Sequence, residues 1–266
     1  MASRTKQKEE ARARRVAEEQ ARREREQRQR RLRMISGVVL AALAIVAVAI
    51  AISSRGGGGG SGLQHGTAAN KTVAAVDSLL GGIPQSGNAL GSPSAKVTVT
   101  EFGDLECPIC RDFADSTEKT LISKDVRAGK VRLIFRSLET ATGNGPTPNV
   151  FPTQQAAALA AGLQSKAWNY ILLFYKEQGA ENTAYVTDSY LTGLARQIPG
   201  LDLNKWQSDR SSSSLTSQVA QDEQSASSKG FNSTPTIVVQ GPKGQKPAIV
   251  GGIDYGTLEK AINSVS

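Results

Sequence analysis

Residues 34–52 form a run of nineteen uncharged positions dominated by Val, Ala, Ile and Leu. At 1.5 Å per residue this run spans about 28 Å, close to the roughly 30 Å hydrocarbon core of a bilayer, and it predicts one transmembrane helix. Beyond residue 70 the pattern changes to short periods. Residues 73–80 read as a short helix and residues 81–95 as a turn-rich approach containing Pro84, Gly91 and Pro93. Residues 96–102 alternate as a strand, residues 108–123 repeat at helical spacing, and residues 131–137 alternate again. Residues 143–152 interrupt the pattern. From residue 153 to 229 the spacing is helical in five segments, 153–162, 167–177, 186–198, 203–210 and 214–228. A strand over 236–240, a Gly241-Pro242-Lys243-Gly244 turn, a strand over 247–250 and a helix over 255–263 complete the chain. The order is strand, helix, strand, helical block, two hairpin strands, helix, an α/β arrangement with a helical insertion at about 150–229. Residues 71–266 are long enough for one domain with its own core, and no internal repeat is visible.

Charge is distributed unevenly. Residues 1–33 hold 13 Lys or Arg against six Glu, so nearly all of the chain's formal +8 lies in this tail. The globular part is close to neutral and lacks the electrostatic footprint that nucleic-acid binding requires. Arg30, Arg31 and Arg33 precede the apolar run, and mainly glycine follows it. This asymmetry predicts a cytoplasmic N-terminus and an extracytoplasmic C-terminal domain held by an uncleaved single-pass anchor in the cell membrane. The competing reading is a signal peptide, which would have a shorter apolar core and a shorter leader; Ala51-Ile52-Ser53 is a weak cleavage site. The basic tail needs no role beyond setting orientation and holding to anionic lipid. Residues 53–70 form a linker with five consecutive glycines, Gly56 to Gly60; about 14 such residues reach roughly 20 Å as a flexible coil.

The chain has two cysteines, both in Glu106-Cys107-Pro108-Ile109-Cys110-Arg111, at the junction of a predicted strand and helix. A bridge across so short a loop stabilises by only about 2 kcal/mol on chain-entropy grounds, so the pair is better explained by chemistry. At a helix start, free backbone N–H groups and the positive end of the dipole favour the thiolate of Cys107, and Cys110 lies one turn further along. Pro108 suits the first helical turn and stiffens the loop. With no third cysteine, and with His65 as its one histidine in a glycine-rich stretch, a single chain cannot close a four-ligand zinc site. The same lone histidine excludes a Ser-His-Asp set, and the glycine run lacks the strand before it and the helix start after it that a phosphate loop needs. Trp168, Tyr170, Leu172, Leu173, Phe174 and Tyr175 crowd one helix. We assign them to packing against the sheet, with a peptide groove as the alternative. Ser211 to Ser214 form a linker or a helix cap.

Four stretches carry a resemblance: Pro84 to Asn88, Gly91 to Ala95, Glu101-Phe102-Gly103-Asp104-Leu105-Glu106-Cys107-Pro108-Ile109-Cys110, and Ser233-Thr234-Pro235-Thr236. Together they resemble the DsbA-like thiol:disulfide oxidoreductases, above all the membrane-anchored bacterial type, from about residue 79 onward. The resemblance implies a thioredoxin fold with a helical insertion. It implies Cys107 as the exposed nucleophile, Cys110 as resolving thiol, Pro235 as a cis-proline, with an ordinary strand-entry proline as the plain alternative, and Thr234 as the residue whose backbone pairs with extended substrate. Glu101 corresponds to a buried acid that relays the Cys110 proton; a solvent-facing strand glutamate is the equal alternative. Asp104 and Glu106 read as exposed loop acids. Ile109 stands where the strongly oxidising Cys-Pro-His-Cys pattern has histidine. With Pro108 it would offer apolar surface to substrate, and Arg111 would restore part of the missing positive charge. The implied function is donation of the Cys107–Cys110 disulfide to reduced exported proteins by way of a mixed disulfide. A DsbB-like or VKOR-like quinone-coupled membrane oxidase would recharge it, with no metal and no cofactor beyond the disulfide itself. The alternatives are a reductase or isomerase of the same fold, and a dedicated thiol-dependent chaperone or maturation factor.

Overall fold

The computed structural model describes residues 62–266. The basic tail, the apolar run at 34–52 and most of the glycine linker lie outside the described residues. Among the described residues no helix is long and apolar enough to cross a membrane.

Two parallel strands and one antiparallel strand form the heart of the sheet. Strand β3 (Val97–Gly103) pairs in parallel with β4 (Val131–Ser137) on one side and antiparallel with β5 (Thr236–Gly241) on the other. Short strands extend the edges: β1 (Gln85–Ser86) and β2 (Ala89–Leu90) beyond β4, and β6 (Gly244–Gln245) and β7 (Ile249–Val250) beyond β5. The β1–β2 hairpin falls inside the stretch read from sequence as turns, because two-residue strands are too short to show a period. The central position of β3 determines which of its side chains are covered. Val97, Val99 and Glu101 share one face and are buried in the main core, whereas Phe102 points the other way, into a smaller cluster with Leu138, Ala226 and Val238.

Helix α1 (Thr67–Leu80) starts six residues before the predicted helix, and Leu63 is already buried against the core. The folded part therefore begins before residue 71. Helix α2 covers residues 108–126 in four parts: Pro108–Phe113 and Lys119–Leu121 are α-helical, while Ala114–Glu118 and Ile122–Val126 are π-helical. The reason is visible in its apolar period. Cys110, Ala114, Glu118, Ile122 and Val126 are all buried, a spacing of four. An α-helix over-rotates by about 40° for each four-residue step. The wider π turns take up this drift, with Lys119 N–H bonded to the Ala114 carbonyl and Arg127 N–H to the Ile122 carbonyl, each five residues back.

The insertion consists of α3 (Val150–Gly162), α4 (Ala167–Lys176), α5 (Asp188–Gln197), α6 (Leu203–Asp209) and α7 (Ser213–Ser228), and α8 (Tyr255–Val265) closes the chain. Helix α3 begins at Val150, ahead of the predicted residue 153, because Pro152 is tolerated in a first turn. Trp168, Tyr170, Leu172, Leu173, Phe174 and Tyr175 on α4 are all buried, which makes them core and not a groove lining. The Ser212 hydroxyl caps α7 by accepting from Ser214 N–H. Asp222 of α7 bonds Arg136 Nη1 at 2.7 Å and Ser137 N–H at 3.2 Å, fixing the insertion to the end of β4.

Candidate active site

Strand β3 ends at Gly103, and the chain turns through residues 104–107 into α2. A side chain at Gly103 would meet the Phe135 ring at 2.6 Å, so only glycine lets the turn pass this close to β4. Asp104 holds the turn in place. It is fully buried, and its carboxylate accepts from the N–H groups of Glu106 (3.0 Å), Thr140 (2.9 Å) and Thr142 (2.9 Å) and from the Thr142 hydroxyl (2.5 Å). These four donors join the turn to the loop after β4. Gln178 Nε2, just past α4, donates to the carbonyls of Leu105 (2.7 Å) and Cys107 (3.2 Å).

Cys107 is the N-cap of α2, with extended backbone angles (φ −73°, ψ 119°), and Pro108 follows at the first helical position. Both cysteines are free thiols and both are buried, Cys107 at 5% exposure and so not the exposed nucleophile expected from the resemblance, but the two are not equivalent. The Cys107 thiol is lowered to about 6, chiefly because the Cys110 thiol donates to it. The Thr234 hydroxyl and the N–H groups of Cys110 and Ile109 favour the thiolate further, against the opposing effect of burial. Cys110 has no exposed surface; burial, its bond to Cys107 and the charge of Glu101 push its thiol well up. One sulfur is thus set to attack or be attacked, and the other to stay protonated.

The Thr234–Pro235 peptide is cis and lies directly against the nucleophile. Cys107 Sγ donates to the Thr234 carbonyl at 3.6 Å, and the Thr234 hydroxyl is 2.5 Å from that of Thr140. Asp104, Thr140, Thr234 and Cys107 therefore form one connected chain of contacts. Gly251 N–H bonds the Pro235 carbonyl at 2.8 Å and brings the β7 loop alongside. Ile109 is 47% exposed next to this loop, and Val250 in β7 is 59% exposed. Below Ile109 an open groove of about 860 Å³ runs between α2 and the start of α8, lined by Phe113, Thr117, Ile253 and Tyr255.

Glu101 is fully buried, which excludes the solvent-facing alternative. Burial first, then Glu118 and Cys107, raise its carboxyl well above the ordinary range. The parity of Val97 and Val99 on the strand was the signal that could have decided this in the sequence. Asp104 and Glu106, read there as exposed loop acids, are both buried as well. Glu106 is raised to about 7, mainly by burial, with the Asp104 charge adding to it and Thr142 and Gln154 opposing. Arg111 bonds its neighbour Asp112 at 3.2 Å, so its charge is engaged away from Cys107. His65 is exposed on the approach to α1. Sequence reasoning missed Glu118, Thr140, Thr142 and Gln178, and read Tyr175 as a packing residue. Thr140, Thr142, Gln178 and Tyr175 come from segments distant along the chain and carry no motif.

A family model described as Thioredoxin matches residues 85–263. The disulfide bond formation protein D of Bacillus subtilis is 28% identical over 204 residues, covering 73% of this chain and 83% of that protein. The crystal structure of oxidised BdbD from Bacillus subtilis superposes with a TM-score of 0.57 at 21% identity, covering 68% of this chain and 97% of that one. DsbA2 of Pseudomonas aeruginosa superposes with a TM-score of 0.54 at 25% identity, covering 70% and 97%. With its unequal thiols at a helix N-terminus and a cis-proline against the nucleophile, the chain belongs to the thioredoxin family as a DsbA-like thiol:disulfide oxidoreductase.

Proposed function

We propose that the protein works as a membrane-tethered oxidase outside the cytoplasm, donating its Cys107–Cys110 disulfide to reduced exported proteins. The observation that carries this reading is the inequality of the two thiols. A thiolate-favouring Cys107 stabilises the reduced pair, and a protein whose reduced form is stabilised gives its disulfide away. A client thiolate attacks Cys107 Sγ, the Cys107–Cys110 bond breaks, and Cys110 leaves with the electron pair and takes a proton. A second client thiolate then attacks the client sulfur of the mixed disulfide and releases Cys107 as thiolate. The client loses two electrons and the cysteine pair gains them. The apolar run at 34–52 and its basic flank support the tether and the location. Reoxidation falls to a DsbB-like or VKOR-like quinone-coupled partner in the same membrane. Thr234 and Pro235 present backbone to the client, and Pro108 and Ile109 supply apolar contact. One observation favours the reductase or isomerase alternative: Ile109 brings no charge to the thiolate.

The test is Cys110→Ser in the full chain, expressed with its exported proteome. The expected result is a ladder of mixed disulfides through Cys107 with many exported proteins. Capture of one client only would indicate a dedicated maturation factor, and capture of none would overturn the reading.

A further inference from the structure

Glu118 has no place in the chemistry above, yet it is fully buried on the helix that begins with the cysteines. In a straight α-helix it would lie about 80° round from Cys110. The π-helical stretch Ala114–Glu118 cancels much of this rotation and keeps it on the Cys110 face. Its two carboxyl oxygens have no donor, and neither do those of Glu101. Among the described residues, no lysine, arginine or histidine pairs with either acid. The two acids face each other, Glu101 from β3 and Glu118 from α2, with both cysteines and the Tyr175 hydroxyl of α4 as the other titratable groups around them. Two buried carboxylates without a cation cannot both carry charge, and a hydrogen bond between them needs a proton on one.

We propose that Glu101 and Glu118 form a proton-sharing carboxyl pair beneath the disulfide, alternating between one proton and two as Cys110 loses and gains its own. The inference rests on the oxidoreductase reading and assigns Glu118 a catalytic part that the motif does not reveal. In the oxidising direction Cys110 leaves Cys107 as a thiolate and takes one proton from the doubly protonated pair. The other proton stays between the two carboxyls, so the pocket never holds two bare negative charges. In reverse, Cys110 passes its proton to the singly protonated pair as its sulfur attacks Cys107 and the client thiolate departs. Both directions balance, with no group required beyond the two acids and the thiols.

The test is infrared titration of the reduced full-length protein from about pH 5 to about pH 10, following the carbonyl stretch of a buried protonated carboxyl. In the wild type the shared proton preserves this band to high pH. In Glu118→Gln the negative neighbour is gone, so Glu101 gives up its proton at least about one pH unit lower. Resolution of a glutathione mixed disulfide on Cys107 by Cys110 at about pH 7 slows about tenfold in the same variant. Glu118→Asp keeps a carboxyl and restores both readouts in large part. An unmoved band or an unchanged resolution rate in Glu118→Gln overturns the proposal, as does a Glu118→Asp protein that behaves like the glutamine variant. A wild-type protein that forms no mixed disulfide at all would count against the thiol chemistry itself, which separates the two failures.

Discussion

The Sγ of Cys107 lies 3.6 Å from the carbonyl oxygen of Thr234, the residue before the cis-proline, 127 positions away in sequence. Two segments with no local connection thus meet at the reacting atom. The nucleophile's surroundings come mainly from its own helix, through the Cys110 thiol first, partly from the Thr234 hydroxyl, and then from the N–H groups of Cys110 and Ile109. A titration of reduced protein followed by thiolate absorbance should show one inflection near pH 6, absent in Cys107→Ser. An inflection at the ordinary cysteine value would mean that the Cys110 thiol, the helix start and Thr234 do not act on the sulfur. Thr234→Val, which keeps the carbonyl and loses the hydroxyl, should move the inflection upward.

The same shift fixes the pH dependence of stability of the reduced form. The folded-state thiol is lowered from 9.0 to about 6, so the folded state binds fewer protons than the unfolded chain between those values. Its contribution is fully present above the unfolded value and is lost as pH falls through about 6. Denaturation of reduced wild type and of reduced Cys107→Ser should therefore converge in acid and diverge above neutrality, with the wild type gaining.

Glu118 acts in the opposite sense. Burial raises it, so the folded state binds the extra proton and its contribution is lost as pH rises from the ordinary glutamate value of 4.5 through the raised one. Glu118→Met removes a buried acid that has no donor. We expect its thermal midpoint to exceed that of wild type by about 3–6 °C in mildly alkaline buffer, and by less in acid. A midpoint lowered in alkaline buffer would show that the carboxyl contributes packing or bonding that outweighs its desolvation.

Asp104 should be intolerant of change. Asp104→Ala leaves three N–H groups and a hydroxyl without their acceptor in a buried turn. A loss of about 2–4 kcal/mol in denaturant unfolding is expected. A loss below about 0.5 kcal/mol would mean that water replaces the carboxylate without cost.

The fold was legible where periods were long or chemically marked. Strand Val131–Ser137 and the cysteine junction were read at their observed positions because alternation and motif agreed. The β1–β2 hairpin and the early start of α1 were not, since two-residue strands and a sparse apolar face leave little signal. At the site, the cysteines, Thr234 and Pro235 were visible as motif. The burial of Glu101 could have been read from strand parity, and that of Glu118 from the spacing of four that starts at Cys110. The anchoring by Asp104, Thr140, Thr142 and Gln178 was not accessible, because it depends on which loops a parallel strand pair brings together.

Replacing Ile109 with histidine tests the position where the charge is missing. The side chain is exposed and lies within the loop between the two sulfurs, so it can change without repacking the core. Ile109→His should lower the Cys107 inflection and make the pair more oxidising by about 15–30 mV. An unchanged potential would show that position 109 does not influence the thiolate.

The most direct measurement is the reduction potential of the Cys107–Cys110 pair in the full-length protein, by equilibration against glutathione, where 30 mV corresponds to about 1.4 kcal/mol. A thiolate-stabilised Cys107 over a buried, protonated Cys110 predicts an oxidising value, nearer about −120 mV than about −270 mV. A value near about −270 mV would mean that the pair removes disulfides instead of donating them, and would contradict the central claim.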